Sequence, residues 1–238
     1  MDTLPIFAPM TVAQLYRDAT RSVAYSQLAR FTYPWEALPC IGQMIRDIGR
    51  TLPDTLYDRT KEDVWIAKSA TVAASASICG PCIVCEGAEI RHCALIRGNA
   101  IIGKHAVVGN STELKNCLLF DEVQVPHFNY VGDSILGYRS HLGAGAVTSN
   151  VKSDKSLIFI RFGGVRIPTG RKKVGAMLGD GVEVGCHAVL NPGTVIGPGT
   201  SVYPLSSVRG YVPADSILKS GTDIVPRRMP FDGSIPQP

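Results

Sequence analysis

A mainly β solenoid is the fold class that this 238-residue sequence predicts. Three observations predict it: an aliphatic residue recurs at every sixth position, a small residue follows each one four places on, and two separate runs keep the same phase. The first run reads Ile66, Val72, Ile78, Val84, Ile90, Ile96, Ile102, Val108 and Leu114, with Ala70, Ala76, Cys82, Ala88, Ala94, Ala100, Ala106 and Thr112 behind them. The second reads Leu178, Val184, Leu190, Ile196, Val202 and Val208, with Val182, Ala188, Thr194, Thr200 and Ser206. Between the two, Leu119, Val125, Val131, Leu136 and Leu142 continue the series with two five-residue steps. A period of six suits neither a helix nor the two-residue alternation of a half-buried strand. It suits short strands meeting at turns, where each flat side turns one aliphatic residue inward and each bend needs a small one. Three sides make a coil of about 18 residues, and stacked coils form parallel sheets about 4.8 Å apart. Each coil then buries its aliphatics against its neighbours, so stability is largely nearest-neighbour.

The elements follow in order. Residues 1–62 form an N-terminal helical segment, with helices expected over 11–30 and 34–52. Ile41, Met44, Ile45 and Ile48 fall at helical spacing in the second, and Thr11 is placed to cap the first. Residues 63–210 are the β-helix. Inside it, residues 151–177 interrupt the hexads with "SLIFIRFGGVRIPTG", two strand-like runs around Gly163-Gly164, which predicts a basic hairpin extruded from the prism. Residues 211–238 are a proline-punctuated tail, expected to be an arm or disordered.

Composition narrows the function classes. The formal charge is +4, but between Asn150 and Met177 seven Lys/Arg face one acid, Asp154. A local basic patch implies an anionic partner at one place and argues against a nucleic-acid-coating surface. No apolar run approaches the roughly 20 residues of a membrane span, and the N-terminal residues show no signal-peptide pattern. Seven cysteines, an odd number with no disulfide-framework spacing, point to a reducing cytoplasm. Cys79, Cys82 and Cys85 mimic a metal motif, yet the hexad frame puts Cys82 inward and separates Cys79 from Cys85 onto different sides, so no metal is expected.

One cluster breaks the repeat. Arg97 and Lys115 each directly follow an inward aliphatic and lie 18 residues apart, so they should stack as two cations roughly 5 Å apart. Unpaired like charges at that distance repel unless an anion sits between them. One coil later comes Tyr130, with His127 three residues before it, inside "VPHFNYVGDS". A phosphate held by Arg97 and Lys115 beside a neutral imidazole suits proton abstraction from a phosphorylated substrate.

The hexads resemble the left-handed parallel β-helix, an exception to the right-handed crossover preference. The stretch "GNSTELKNCLLFDEVQVPHFNYVGDSILGYRSHLGAGAVTSN", and "KVGAMLGDGVEVGCHAVLNPGTVIGPGTSV" after it, resemble a known family over about residues 64–210. That family is the acetyltransferase domain of the bifunctional N-acetylglucosamine-1-phosphate uridyltransferase/glucosamine-1-phosphate acetyltransferase. The E-x-K, H-x-x-Y-x-G-D and G-A-G-x-x-T-x-N elements occur in the same order, with no nucleotidyltransferase signature, as in a stand-alone branch. The resemblance implies an acetyl-CoA-dependent N-acetyltransferase acting on an amino sugar phosphate, in UDP-N-acetylglucosamine biosynthesis, as a homotrimer. It makes His127 the general base, Arg97, Lys115, Tyr130, His141 and Lys173 the sugar-phosphate contacts, and Ala144, Asn150 and Cys186 the acetyl-CoA contacts. The sequence departs from the family at His141, where the family has a sugar-binding asparagine, at Val151, where it has a CoA-contacting tyrosine, and at Cys186, where it has a serine. The family's C-terminal arginine has no aligned counterpart, leaving Lys219, Arg227 and Arg228 as substitutes. The alternative is a non-catalytic β-helix that binds a sugar nucleotide or CoA and partners a separate nucleotidyltransferase.

Overall fold

The structure, a computed structural model, describes residues 7–228. Its body is the expected parallel β-helix of hexapeptide repeats, built as three stacked parallel faces. On the first face Ile66 registers with Val84, Val84 with Ile102, Ile102 with Leu119 and Leu119 with Leu136. The series continues through Leu178 and Ile196 to Val212. The second face stacks Val72, Ile90, Val108 and Val125, then Leu142, Val184, Val202 and Leu218. The third stacks Ile78, Ile96, Leu114 and Val131, then Thr148, Leu190 and Val208. The small residues of the repeat, among them Ala88, Ala94, Ala100, Ala106 and Thr112, are buried at the bends.

The two five-residue steps have a local cause. Glu113–Leu119 and Tyr130–Leu136 each run as one strand through the corner from third face to first. Each turns it on a single left-handed residue, Asn116 (φ 50°) and Asp133 (φ 48°). Asn and Asp tolerate that conformation better than other non-glycine residues.

The first face is covered. One place before its inward aliphatics stand further large apolar residues, among them Ile83, Ile101, Leu118, Ile135, Met177 and Val195, and these six are buried. The N-terminal segment lies against this outer column: Tyr16 is fully buried, packs its ring at a tilt on Phe120 at 4.8 Å and donates its hydroxyl to the Ile135 carbonyl at 3.4 Å. Asp180 anchors it by accepting the Arg17 N–H at 2.8 Å and the Tyr138 N–H at 2.9 Å. Gly49 lets the last helix approach the sheet, because a Cβ there would meet the Trp65 ring at 2.6 Å.

Three expectations are corrected. The N-terminal segment is not two long helices. Its first part breaks into short turns at Val12–Leu15, Ala19–Arg21 and Tyr25–Leu28, and only Ile41–Gly49 forms a longer α-helix, after the 3-10 turn Pro34–Cys40. Docking onto the apolar column replaces helix propensity as the organising force, and the Thr11 hydroxyl bonds back to the Ala8 carbonyl instead of capping. The hairpin Phe159–Phe162 and Val165–Pro168 turns on Gly163 and Gly164, both at positive φ, as a two-residue turn requires. It is not extruded: Ile158, Ile160 and Ile167 are buried, and Phe162 packs on Tyr211 at 5.2 Å, so it lies back on the upper coils. The β-helix also runs past residue 210, since Tyr211–Val212 and Ser216–Ser220 extend two faces and Asp223–Pro226 closes the end antiparallel. The rest of the tail lies outside the described residues. Among the described residues no helix is long and apolar enough to cross a membrane.

Candidate active site

The turn from the second face to the third is a stacked corner. Cys93, Ser111, Phe128, Gly145, His187 and Leu205 occupy it in left-handed conformation, one per coil. The residue before each forms its own column, because each corner N–H donates to the carbonyl of the residue below: Ser111 to His92, Phe128 to Asn110, Gly145 to His127, His187 to Ala144, Leu205 to Cys186. His127, Ala144 and Cys186 therefore stand in one file about 4.8 Å apart per coil. Asn129, almost fully buried, accepts the His127 N–H at 3.1 Å and donates to the Gly143 and Ala146 carbonyls, which pins the loop that presents the imidazole. The His127 side chain is exposed and has no hydrogen-bond partner among the described residues.

Three residues after His127 the chain enters the third face at Tyr130. Its ring folds over Gly132, where a Cβ would come within 2.5 Å of the phenol oxygen. Gly132 is the register partner of Lys115, so the phenol lies above that lysine, although Tyr130 itself registers with Glu113. Asn150 donates to the Tyr130 hydroxyl at 3.3 Å and to Asp133 at 2.6 Å, and Asn116 donates to the other Asp133 oxygen at 2.8 Å. Burial, and then the Asp133 carboxylate, raise the Tyr130 pKa, so the phenol keeps its proton. Asn116, Asp133 and Asn150 are spaced 17 residues apart, one coil each, so the spacing alone aligns them in one column.

The expected pair of unpaired cations is corrected. Arg97 does sit one coil below Lys115 on the third face, but its guanidinium donates to Glu113 at 2.6 Å, diagonally across the strands. That hydrogen bond, more than the charge itself, raises the Arg97 pKa. Lys115 carries the less compensated charge of the two. Lys173 lines a hollow of about 360 Å³ with Asp133, Gly170, Arg171 and Lys172, beside Asn150. The Arg171 Nε is buried there without a hydrogen-bond partner among the described residues.

Arg97, Lys115 and Tyr130 thus share the outer surface of the third face, with His127, Ala144 and Cys186 at its leading corner, while Asn150 and Lys173 gather around Asp133 at the corner that leads on to the first face. Asn150 sits with Tyr130 and Asp133, not in the file of Ala144 and Cys186. His141 is elsewhere: it lies on the second face, paired with Glu183 at 2.9 Å, in a groove of about 500 Å³ shared with His105, Glu122, Gln124 and Arg139. The cysteines do not converge either. Cys82 and Cys85 are buried while Cys79 is exposed at the end of the third face, and burial pushes the Cys82 and Cys85 thiols up. No group of three or more metal-ligating side chains is present among the described residues.

Comparison with known proteins identifies the family of the β-helix. A family model described as the GMPPB C-terminal domain matches residues 78–203, more than half of the chain. A bifunctional sugar-1-phosphate nucleotidylyltransferase/acetyltransferase of Sulfurisphaera tokodaii is 34% identical over 94 residues, which are 40% of this chain and 23% of that protein. The bifunctional protein GlmU of Methanococcus maripaludis is 29% identical over 116 residues, 49% of this chain and 28% of that protein. The chain therefore spans about a quarter of the length of these curated relatives. The acetyltransferase domain of PglB from Neisseria gonorrhoeae, solved with acetyl coenzyme A, overlaps 80% of this chain and 67% of its own at 16% identity and a TM-score of 0.32.

Proposed function

We propose that this chain, which belongs to the GMPPB C-terminal domain family, transfers an acetyl group from acetyl-CoA to the amine of an amino sugar phosphate. One observation carries the proposal: an exposed imidazole at a stacked corner, unpartnered among the described residues, beside an outer face that bears Arg97, Lys115 and Tyr130. The acetyltransferase in the name of the Sulfurisphaera tokodaii relative supports it. In the reaction the neutral amine attacks the thioester carbonyl, and His127 takes the proton that its nitrogen sheds. The C–N bond forms, the C–S bond breaks, and the departing thiolate receives a proton as free CoA. Lys115 and Arg97 hold the phosphate, Tyr130 and Asn150 the sugar, and Ala144 and Cys186 flank the pantetheine arm along the corner file.

A second copy completes the site in this reading. The first face is already occupied by the N-terminal segment, which leaves the second and third faces for partners. Large apolar side chains stand exposed where those two faces meet, with Phe128 at 63% and Leu205 at 80%. A homotrimer would cover them, and would set the second-face groove of one copy, with His141, against the third face of the next.

The test is thiol release from acetyl-CoA with glucosamine-1-phosphate as the leading acceptor, wild type beside His127→Ala. Loss of about 10²–10⁴-fold in turnover, with the melting temperature unchanged, is the expected result for a general base. Undiminished turnover in the variant would sink the assignment. No turnover by either protein, with calorimetric CoA binding absent, would transfer the bet to a non-catalytic binding module that partners a nucleotidyltransferase.

A further inference from the structure

A second basic site lies higher on the third face. Lys152, Arg161, Arg166 and Arg209 surround a pocket of about 530 Å³ together with Ser149 and Asn191. Arg161 and Arg166 are directly opposed across the hairpin, an arrangement that like charges disfavour. None of the four makes an ion pair among the described residues. The one acid on the wall, Asp154, is engaged by the Ser156 N–H at 2.9 Å. Phe159 is flanked by two of the cations, Arg166 at 4.6 Å and Lys152 at 5.4 Å from its ring.

The pocket is built, not incidental. Buried Ile158 and Ile160 root the hairpin, and Gly193 and Gly210 let it sit close. A Cβ on Gly193 would meet Ile158 at 2.9 Å, and one on Gly210 the Arg161 carbonyl at 2.6 Å. Lys152 donates to the Leu157 carbonyl at 2.6 Å, and the three arginines, exposed and held on a rooted hairpin and its neighbouring coil, concentrate positive charge that suits a multiply charged anion.

We propose that this pocket binds the diphosphate of a nucleotide. Arg209 stands in the same outer column as Lys115, reached through Gly132, Ser149 and Asn191. Four coils separate the two, about 19 Å at the spacing of stacked strands. A single phosphate cannot bridge that distance, so the upper site serves the distal part of a longer ligand: the nucleotide of the acyl donor, or that of a nucleotide-linked acceptor. The inference goes beyond the acyl-transfer reading and does not depend on it, because anion binding is measured without turnover.

Calorimetry on the full chain decides it, with inorganic pyrophosphate, CoA and UDP-N-acetylglucosamine as probes. Wild type and Arg59→Ala, which removes an exposed cation at the opposite end of the β-helix, should bind pyrophosphate alike. Arg166→Ala/Arg209→Ala should weaken it by roughly ten- to hundredfold per arginine, the scale of a charge-assisted hydrogen bond. Arg166→Lys, which keeps the charge, should retain most of the affinity, and a melting curve for each variant checks the fold. Sensitivity of CoA binding to the double substitution assigns the site to the donor; sensitivity of the UDP-sugar assigns it to the acceptor. Pyrophosphate affinity unchanged in the double variant overturns the proposal, as does equal loss in Lys115→Ala. Failure of thiol release alone would leave it standing.

Discussion

The first and third faces are made from the same hexad and do opposite things. On the first, the residue before each inward aliphatic is apolar and buried: Ile83, Ile101, Leu118, Ile135. At the equivalent place on the third stand Ser77, Leu95, Glu113, Tyr130, Val147 and Val189, none of them buried. An aliphatic stack is enough to hold a coil together, so the outward position is free to vary. One choice makes a wall that the N-terminal segment covers; the other leaves a surface where chemistry can be placed.

Truncation should expose that contrast most sharply. Leu118→Ala removes a side chain packed on both sides and should destabilise by about 2–5 kcal/mol in urea unfolding. Val189→Ala, at 37% exposure, should change a lone chain by no more than about 0.5 kcal/mol. If Val189→Ala costs as much as Leu118→Ala, and the cost depends on protein concentration, the third face is covered by another copy.

A pH scan tests the covered side. Burial pushes the Asp180 carboxyl up to about 6, against the pull of its two backbone hydrogen bonds. A folded-state pKa above the unfolded one means the native state binds the extra proton. The resulting stabilisation is complete below about pH 4 and is lost as pH rises through 6. It amounts to roughly 3 kcal/mol for a shift of about two units. Asp180→Asn should flatten the melting-temperature profile between pH 4 and 6, and an identical slope in the variant would place the titration elsewhere.

On the open side, Lys115→Ala should weaken acceptor binding by about 1.5–3 kcal/mol and Arg97→Ala by less, because Glu113 already occupies the guanidinium. The smallest effect expected is a slight gain in acceptor affinity for Glu113→Gln, which releases Arg97. Equal losses at the two cations would mean that the Glu113 contact opens when substrate binds.

Much of this was legible beforehand. The hexad spacing located the inward residue of nearly every side, and the two five-residue steps marked the strands that now carry Tyr130, Asp133 and Asn116. The H-x-x-Y-x-G-D element placed His127 and Tyr130 on either side of one corner. The covered face was legible too, in runs such as "CIV", "AII" and "AML", where every third hexad has a second apolar residue. The Arg97–Glu113 pair was not, because it is a diagonal contact and depends on where two long side chains point.

By itself the sequence determined the period, the division into three faces and which residues lie one coil apart, since backbone hydrogen bonding leaves a strict hexad few other ways to bury its aliphatics. Only the tertiary structure decided that the N-terminal segment is what covers the apolar face, that the basic hairpin folds back to wall a pocket, and which cation is neutralised. Those outcomes follow from docking and side-chain direction, which carry no period for a sequence to display.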